Sequence, residues 1–265
     1  MTMTTTFNRF SIIAAITLLA LLVPLTSTAA KLTLAEGINK AGRQRMLTQR
    51  MVKSYCQMGM ELRYRKSEKQ LNAAIQLFDT QLEELQQFSI TAEVKAGLDK
   101  VKGLWEGVKE TVSSEVKREN VEQLRADAEK LLIASHEVVL MLQDLSGTSQ
   151  GKLVNIAGRQ RMLSQRISNL YLLQAWGFEK EPYTSDYQTA ISEFDSALSL
   201  LTKAPENTKK ISESLGNVSL QWGVFQHSAK LEKGKYIPAL IVRSADKILT
   251  QMNSITGMYT LLPAK

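Results

Sequence analysis

Residues 38–51 read Ile38-Asn39-Lys40-Ala41-Gly42-Arg43-Gln44-Arg45-Met46-Leu47-Thr48-Gln49-Arg50-Met51, and residues 154–167 read Val154-Asn155-Ile156-Ala157-Gly158-Arg159-Gln160-Arg161-Met162-Leu163-Ser164-Gln165-Arg166-Ile167. The run Ala-Gly-Arg-Gln-Arg-Met-Leu-Thr/Ser-Gln-Arg thus occurs twice, 116 residues apart. That interval is too long for a solenoid unit and suits a small domain, so the chain reads as a tandem duplication whose halves fold alike.

Both copies are helical by propensity, since Ala, Arg, Gln, Met and Leu dominate and only Gly42 or Gly158 interrupts them. At 100° per residue, Ile38, Gly42, Arg45, Gln49, Val52 and Cys56 form one seam, and Val154, Gly158, Arg161, Gln165, Ser168 and Leu172 form its counterpart. An arginine stands in each seam where a core-facing leucine would ordinarily be. Two readings compete for Arg45 and Arg161. In one, each pairs with a carboxylate or covers the seam with its aliphatic stem while its head stays in water. In the other, the two motif helices meet in parallel, Gly42 and Gly158 let the backbones approach, and the two guanidiniums converge on an anion. Two unit charges about 6 Å apart repel by roughly 3 kcal/mol at an effective dielectric of about 20, so such a pair calls for a counter-anion. Planar guanidinium forks suit a flat oxyanion.

The pattern Ile-Asn-x-Ala-Gly-x-x-Arg-Met-x-x-x-Arg, opening a helical domain behind an export leader, resembles the PilJ-type sensor domain of type IV pili methyl-accepting chemotaxis transducers. It is also similar to the P-box of NarX-like nitrate/nitrite sensors. The resemblance implies a four-helix bundle in each half, with the motif on its first helix. It implies as well that a small oxyanion, nitrate or nitrite, is held at a two-fold helix interface by Gly42 and Arg45 from one copy and Gly158 and Arg161 from the other. Asn39, Gln49, Asn155 and Gln165 are the supporting candidates. Two features depart from the pattern: Lys40 in the first copy faces Ile156 in the second, and Arg43 and Arg159 directly follow the glycines. Nothing after the second copy resembles a membrane helix or a signalling output domain, so a stand-alone module acting through a separate membrane receptor or transducer is implied.

The fold class expected is all-α, as two tandem up-and-down four-helix bundles, residues 31–147 and 148–265, after a signal peptide at residues 1–30. That leader carries one charge, Arg9, then the apolar run Ser11–Leu25 and small residues up to Ala30. Cleavage after Ala29 or Ala30 would send the mature chain to the periplasm. The alternative is an uncleaved inner-membrane anchor, because Phe10–Ala30 is nearly long enough to span a bilayer. The composition, 44% apolar and 22% charged, is that of a globular chain. A net charge of +7 favours anions in a general way, while the lack of a dense basic block with interleaved aromatics speaks against nucleic acid.

Apolar periodicity predicts helices at about 34–65, 68–88, 92–116 and 121–145, with Leu71, Ile75, Phe78, Leu82 and Leu85 on the inner face of the second. The second half echoes the first beyond the motif: Phe78-Asp79 returns as Phe194-Asp195, Trp105 as Trp222, and Ala128–Leu132 as Ala245–Leu249. Both tryptophans read as core anchors. Ser146–Gly151 reads as the turn or hinge between halves. Side-by-side packing would let the motif helices meet within one chain, and end-to-end packing would require a second copy. The sequence admits both, and a homo-oligomer with them.

The single cysteine, Cys56, excludes an internal disulfide and reads as a small core residue. Neither a metal site nor a cofactor is expected. His136 and His227 are not at equivalent positions, Glu83-Glu84 read as a solvated pair, and no catalytic motif occurs, so an enzyme is not expected. Two functions stand side by side: an oxyanion-binding sensory module, and a ligand-free interaction or dimerisation protein.

Overall fold

The computed structural model describes residues 1–2, 32–229 and 235–264, so nearly all of the expected leader falls outside the described residues. Residues 32–265 form one compact unit. Its described residues form eight α-helices: α1 Leu34–Gly59, α2 Tyr64–Phe88, α3 Ala92–Ser113, α4 Val121–Ser146, α5 Ser149–Ala175, α6 Glu181–Thr202, α7 Lys209–Ala229 and α8 Pro238–Thr260, with a short 3-10 turn at Arg118–Asn120 before α4. No strand occurs among the described residues, and no helix there is long and apolar enough to cross a membrane.

A capping box starts α1. The Thr33 hydroxyl accepts from the Glu36 amide at 3.2 Å while the Glu36 carboxylate accepts from the Thr33 amide at 2.8 Å, satisfying two otherwise orphaned donors. Helix α1 ends at Gly59, earlier than the propensities of residues 60–65 suggest. The Trp176 ring, just past the end of α5, packs on this last residue and leaves no room for a side chain there: a Cβ on residue 59 would stand 2.1 Å from the ring. The chain then turns through left-handed Glu61 and Arg63, and α2 begins four residues before the expected start. The link between halves is likewise shorter than expected. Gly147, at φ 61, ends α4 in the left-handed conformation and Thr148 caps α5, so Gly151 is already helical.

Because helix directions alternate and the α4–α5 link is tight, α5 runs parallel to α1. These two helices form the centre of the body and share its most extensive contact, with α2 and α4 flanking α1, and α6 and α8 flanking α5. The packing is therefore side by side. Every member of both sequence seams is buried, as are the five inner positions expected on α2. The echoed pairs have one shared cause. Phe78 stacks on Trp105 with ring centroids 4.2 Å apart while Asp79 accepts the indole N–H at 2.7 Å; Phe194 and Trp222 are also 4.2 Å apart, and Asp195 accepts at 2.6 Å. Each indole thereby buries its ring without orphaning its donor.

Glu83 is exposed, but Glu84 differs from the solvated pair expected: it accepts from Lys40 at 2.6 Å. The repeat offset places Ile156 and Leu200 at the corresponding positions, so the half without the lysine also lacks its acid.

Candidate functional site

Parallel pairing of α1 and α5 brings Gly42 and Gly158 together, and both arginines reach into the space between them. A Cβ on Gly42 would stand 3.3 Å from Nη2 of Arg45 and 3.5 Å from Nη2 of Arg161; one on Gly158 would stand 3.1 Å from Nη2 of Arg161 and 3.5 Å from that of Arg45. The glycines therefore supply the room in which the guanidinium ends converge. Both arginines are fully buried, at 1% and 0% exposure, which excludes heads held in water.

Pairing with acids is excluded as well: among the described residues no carboxylate lies within 4 Å of either guanidinium. The partners are neutral, and each arginine takes one from its own half and one from across the α1–α5 interface. Arg45 Nη1 donates to His136 Nδ1 at 2.8 Å and Nη2 to Asn155 Oδ1 at 2.8 Å. Arg161 Nη1 donates to Asn253 Oδ1 at 3.2 Å and Nη2 to the Asn39 carbonyl at 3.2 Å. The Nε donors of both arginines find no acceptor. Burial, and then Arg159, lowers the pKa of Arg45 to about 9; burial, Arg43 and Arg45 push that of Arg161 well below its usual value. Guanidinium groups keep their proton at neutral pH, so this is a pair of like charges in a buried site with spare donors and, among the described residues, no carboxylate partner.

The asparagine of each half supports the other half's arginine. Asn155 serves Arg45 through its side chain and, at 3.4 Å, its carbonyl, and is itself fixed by donating to Gln143 at 2.8 Å. Asn39 serves Arg161 through its carbonyl, which leaves its buried Oδ1 without a donor. Gln49 and Gln165 sit elsewhere. Gln49 accepts from Asn169 at 2.8 Å, and Gln165 donates to Ser164 and to the Ala245 carbonyl. They line the seam one turn on and hydrogen-bond to groups other than the arginines.

His136 does have an equivalent position in the second half. Its counterpart is not His227 but Asn253, which occupies the same place on α8 at the offset of 117 that relates Trp105 to Trp222. It is a member of the duplicated site whose chemistry differs between halves. Comparing the halves at that offset would have exposed the His136/Asn253 difference. Burial, Arg45 and Arg159 push the imidazole pKa down to about 4, so at neutral pH His136 is uncharged, with Nδ1 accepting from Arg45. A cavity of about 170 Å³ between α4, α5 and α6 is lined by His136, Arg159, Arg166, Asp186 and Glu193 together with the buried Arg45.

Further along α1, Lys53 is fully buried and pairs with Asp246 on α8, which also accepts from Gln70 at 3.2 Å. The repeat offset places Asn169 opposite Lys53 in the sequence. No cluster of three or more metal-ligating side chains occurs among the described residues.

The sequence matches the family model of PilJ, described as "Type IV pili methyl-accepting chemotaxis transducer N-term", over residues 27–131 and again over 146–255. The chain belongs to the PilJ family. The two matches correspond to the two helical halves, and each contains one copy of the Gly-x-x-Arg motif. PilJ domains are the N-terminal sensory domains of chemotaxis transducers, which makes this chain a sensory-type module of a non-catalytic family. No curated protein and no solved structure matches it.

Proposed function

We propose that this double PilJ chain is a periplasmic binding module for a small oxyanion, nitrate or nitrite by resemblance, which reports occupancy to a separate membrane transducer. One observation carries the reading: two fully buried guanidiniums converge between Gly42 and Gly158, each with an unsatisfied Nε donor and neither with a carboxylate. An oxyanion between them supplies the missing charge and the missing acceptors, and the planar forks favour a flat ligand. Both arginines come from one chain, so one monomer completes one site. Ligand efficiency limits a four-heavy-atom anion to about −6 kcal/mol, a Kd no tighter than tens of micromolar. Export through cleavage of residues 1–30 is part of the proposal and makes Ala30 or Lys31 the mature N-terminus, which N-terminal sequencing of the secreted protein checks.

Calorimetry and thermal shift of the mature chain with nitrate, nitrite, sulfate and chloride at constant ionic strength test the reading. Saturable heat with nitrate or nitrite at one site per monomer is expected. No anion-specific stabilisation, together with an Arg45→Met protein less stable than wild type, would leave a ligand-free interaction module as the function.

A further inference from the structure

The pseudo-two-fold site is lopsided at one point: Arg45 donates to an imidazole, and Arg161 to an amide. The cavity beside α4 extends to His136 and Arg45 and measures about 170 Å³. A water takes up roughly 30 Å³ of liquid, so a four-heavy-atom oxyanion with a few waters fits this space.

We propose that His136 is the proton-taking member of this site, so that a small oxyanion entering through the α4–α5–α6 cavity is bound together with one proton. This inference rests on the oxyanion reading and specifies its regulation. Arginine only donates, so His136 Nδ1 is now the acceptor and its Nε2 carries the ring hydrogen. The added proton can land only on Nδ1. It breaks the Arg45–His136 hydrogen bond and turns two groups facing each other as donor and acceptor into two donors. An oxyanion held by Arg45 on its His136 side accepts from both, and its negative charge offsets the one positive charge that the proton adds beside the two arginines. Bond for bond, one N–H···N contact is exchanged for two charge-assisted N–H···O contacts, and the proton comes from solvent.

The charged groups around His136 agree with this. Arg45 faces it from α1, Arg159 and Arg166 from α5, Asp186 and Glu193 from α6, and Glu129 and Glu137 lie on its own helix. The acids are already engaged: Glu193 pairs with Arg159, Glu137 with Lys100 of α3, and Glu129 and Asp186 with Arg125 and Arg166. Without an anion, burial and then the unpaired charge of Arg45 therefore keep the imidazole neutral. With one, the balance reverses.

Sodium nitrate, which stays ionised throughout, is titrated into the whole mature chain at pH 5.5 and 8.0 in buffers of different ionisation enthalpy. Linkage through one group changes Kd by up to tenfold per pH unit between its free and bound pKa values, so binding about fivefold or more tighter at pH 5.5, with buffer-dependent heat, is expected. His136→Asn copies the arrangement at Asn253 and should bind nitrate with the same Kd at both pH values. Independently of any variant, NMR titration of the two histidines should show one pKa rising when nitrate is added. Nitrate bound with a pH-independent Kd, or a His136→Asn protein that keeps the pH dependence, overturns proton linkage and leaves the oxyanion site standing. No nitrate heat at either pH in either protein overturns the oxyanion reading and this inference with it.

Discussion

Arg45 and Arg161 lie 116 residues apart in the sequence, yet their Nη2 atoms both come within 3.5 Å of the point where a side chain on Gly42 would begin. Two cations are held in a buried interface by hydrogen bonds to neutral groups, which is costly, and on the oxyanion reading proposed above an anion would relieve that cost. That difference is what a sensor needs, because a ligand can shift a conformational equilibrium only by its differential affinity for the two states.

Replacing either arginine with methionine keeps the volume and removes the charge. Arg45→Met and Arg161→Met should each stabilise the unliganded protein by about 1–2 kcal/mol, a rise in Tm of roughly 5 °C, as apolar replacement of buried charge often does. Neither variant should respond to nitrate. Thermal melts with and without the anion report both effects, and a destabilised apo variant would show the arginine to be structural.

Gly42→Ala separates folding from binding. The new methyl meets only the flexible ends of the two arginines, the nearer at 3.3 Å, so the neighbours can shift. Alanine in a helix interior is favoured over glycine by roughly 0.5–1 kcal/mol, which leaves stability equal or slightly higher. The same methyl occupies the space where the guanidiniums converge. Nitrate affinity should fall at least tenfold with the helical circular dichroism unchanged.

The Lys53–Asp246 pair should respond unequally to the loss of either member. Asp246→Asn strands a fully buried ammonium and should cost about 3 kcal/mol, whereas Lys53→Met leaves a carboxylate that retains Gln70 and partial exposure and should cost clearly less. Burial raises the Asp246 pKa, but Lys53, Gln70 and Arg50 outweigh it, so the group is held below its ordinary value of 3.8. Its contribution is therefore complete above about pH 4 and is lost as pH falls through the lowered folded pKa. Denaturant melts of wild type and Asp246→Asn should converge in acid.

Cys56 is fully buried, and burial pushes its thiol up to about 12. The thiolate is the reactive form, so the native protein should resist thiol reagents at pH 8 and react stoichiometrically once denatured. Rapid labelling of the native chain would place the cysteine at a surface.

The sequence by itself determined the duplication, the all-α class, the buried seam through Gly42 and Arg45, and the role of both tryptophans, because helical periodicity and repeated residues are local properties that survive translation along the chain. It also named Arg45, Arg161 and the two glycines, since an arginine in an apolar seam is visible as a conflict between pattern and residue type. Only the tertiary structure decided what surrounds them. That α5 lies alongside α1 depends on a two-residue link and on packing area, neither of which periodicity encodes. The lack of a carboxylate partner among the described residues, the pairing of Arg45 with His136 and Arg161 with Asn253, the engagement of Gln49 and Gln165 by other groups, and the packing of Trp176 on Gly59 all involve contacts between distant segments. In each case the deciding energy is desolvation or steric exclusion by a neighbour, and the neighbour is known only once the helices have docked.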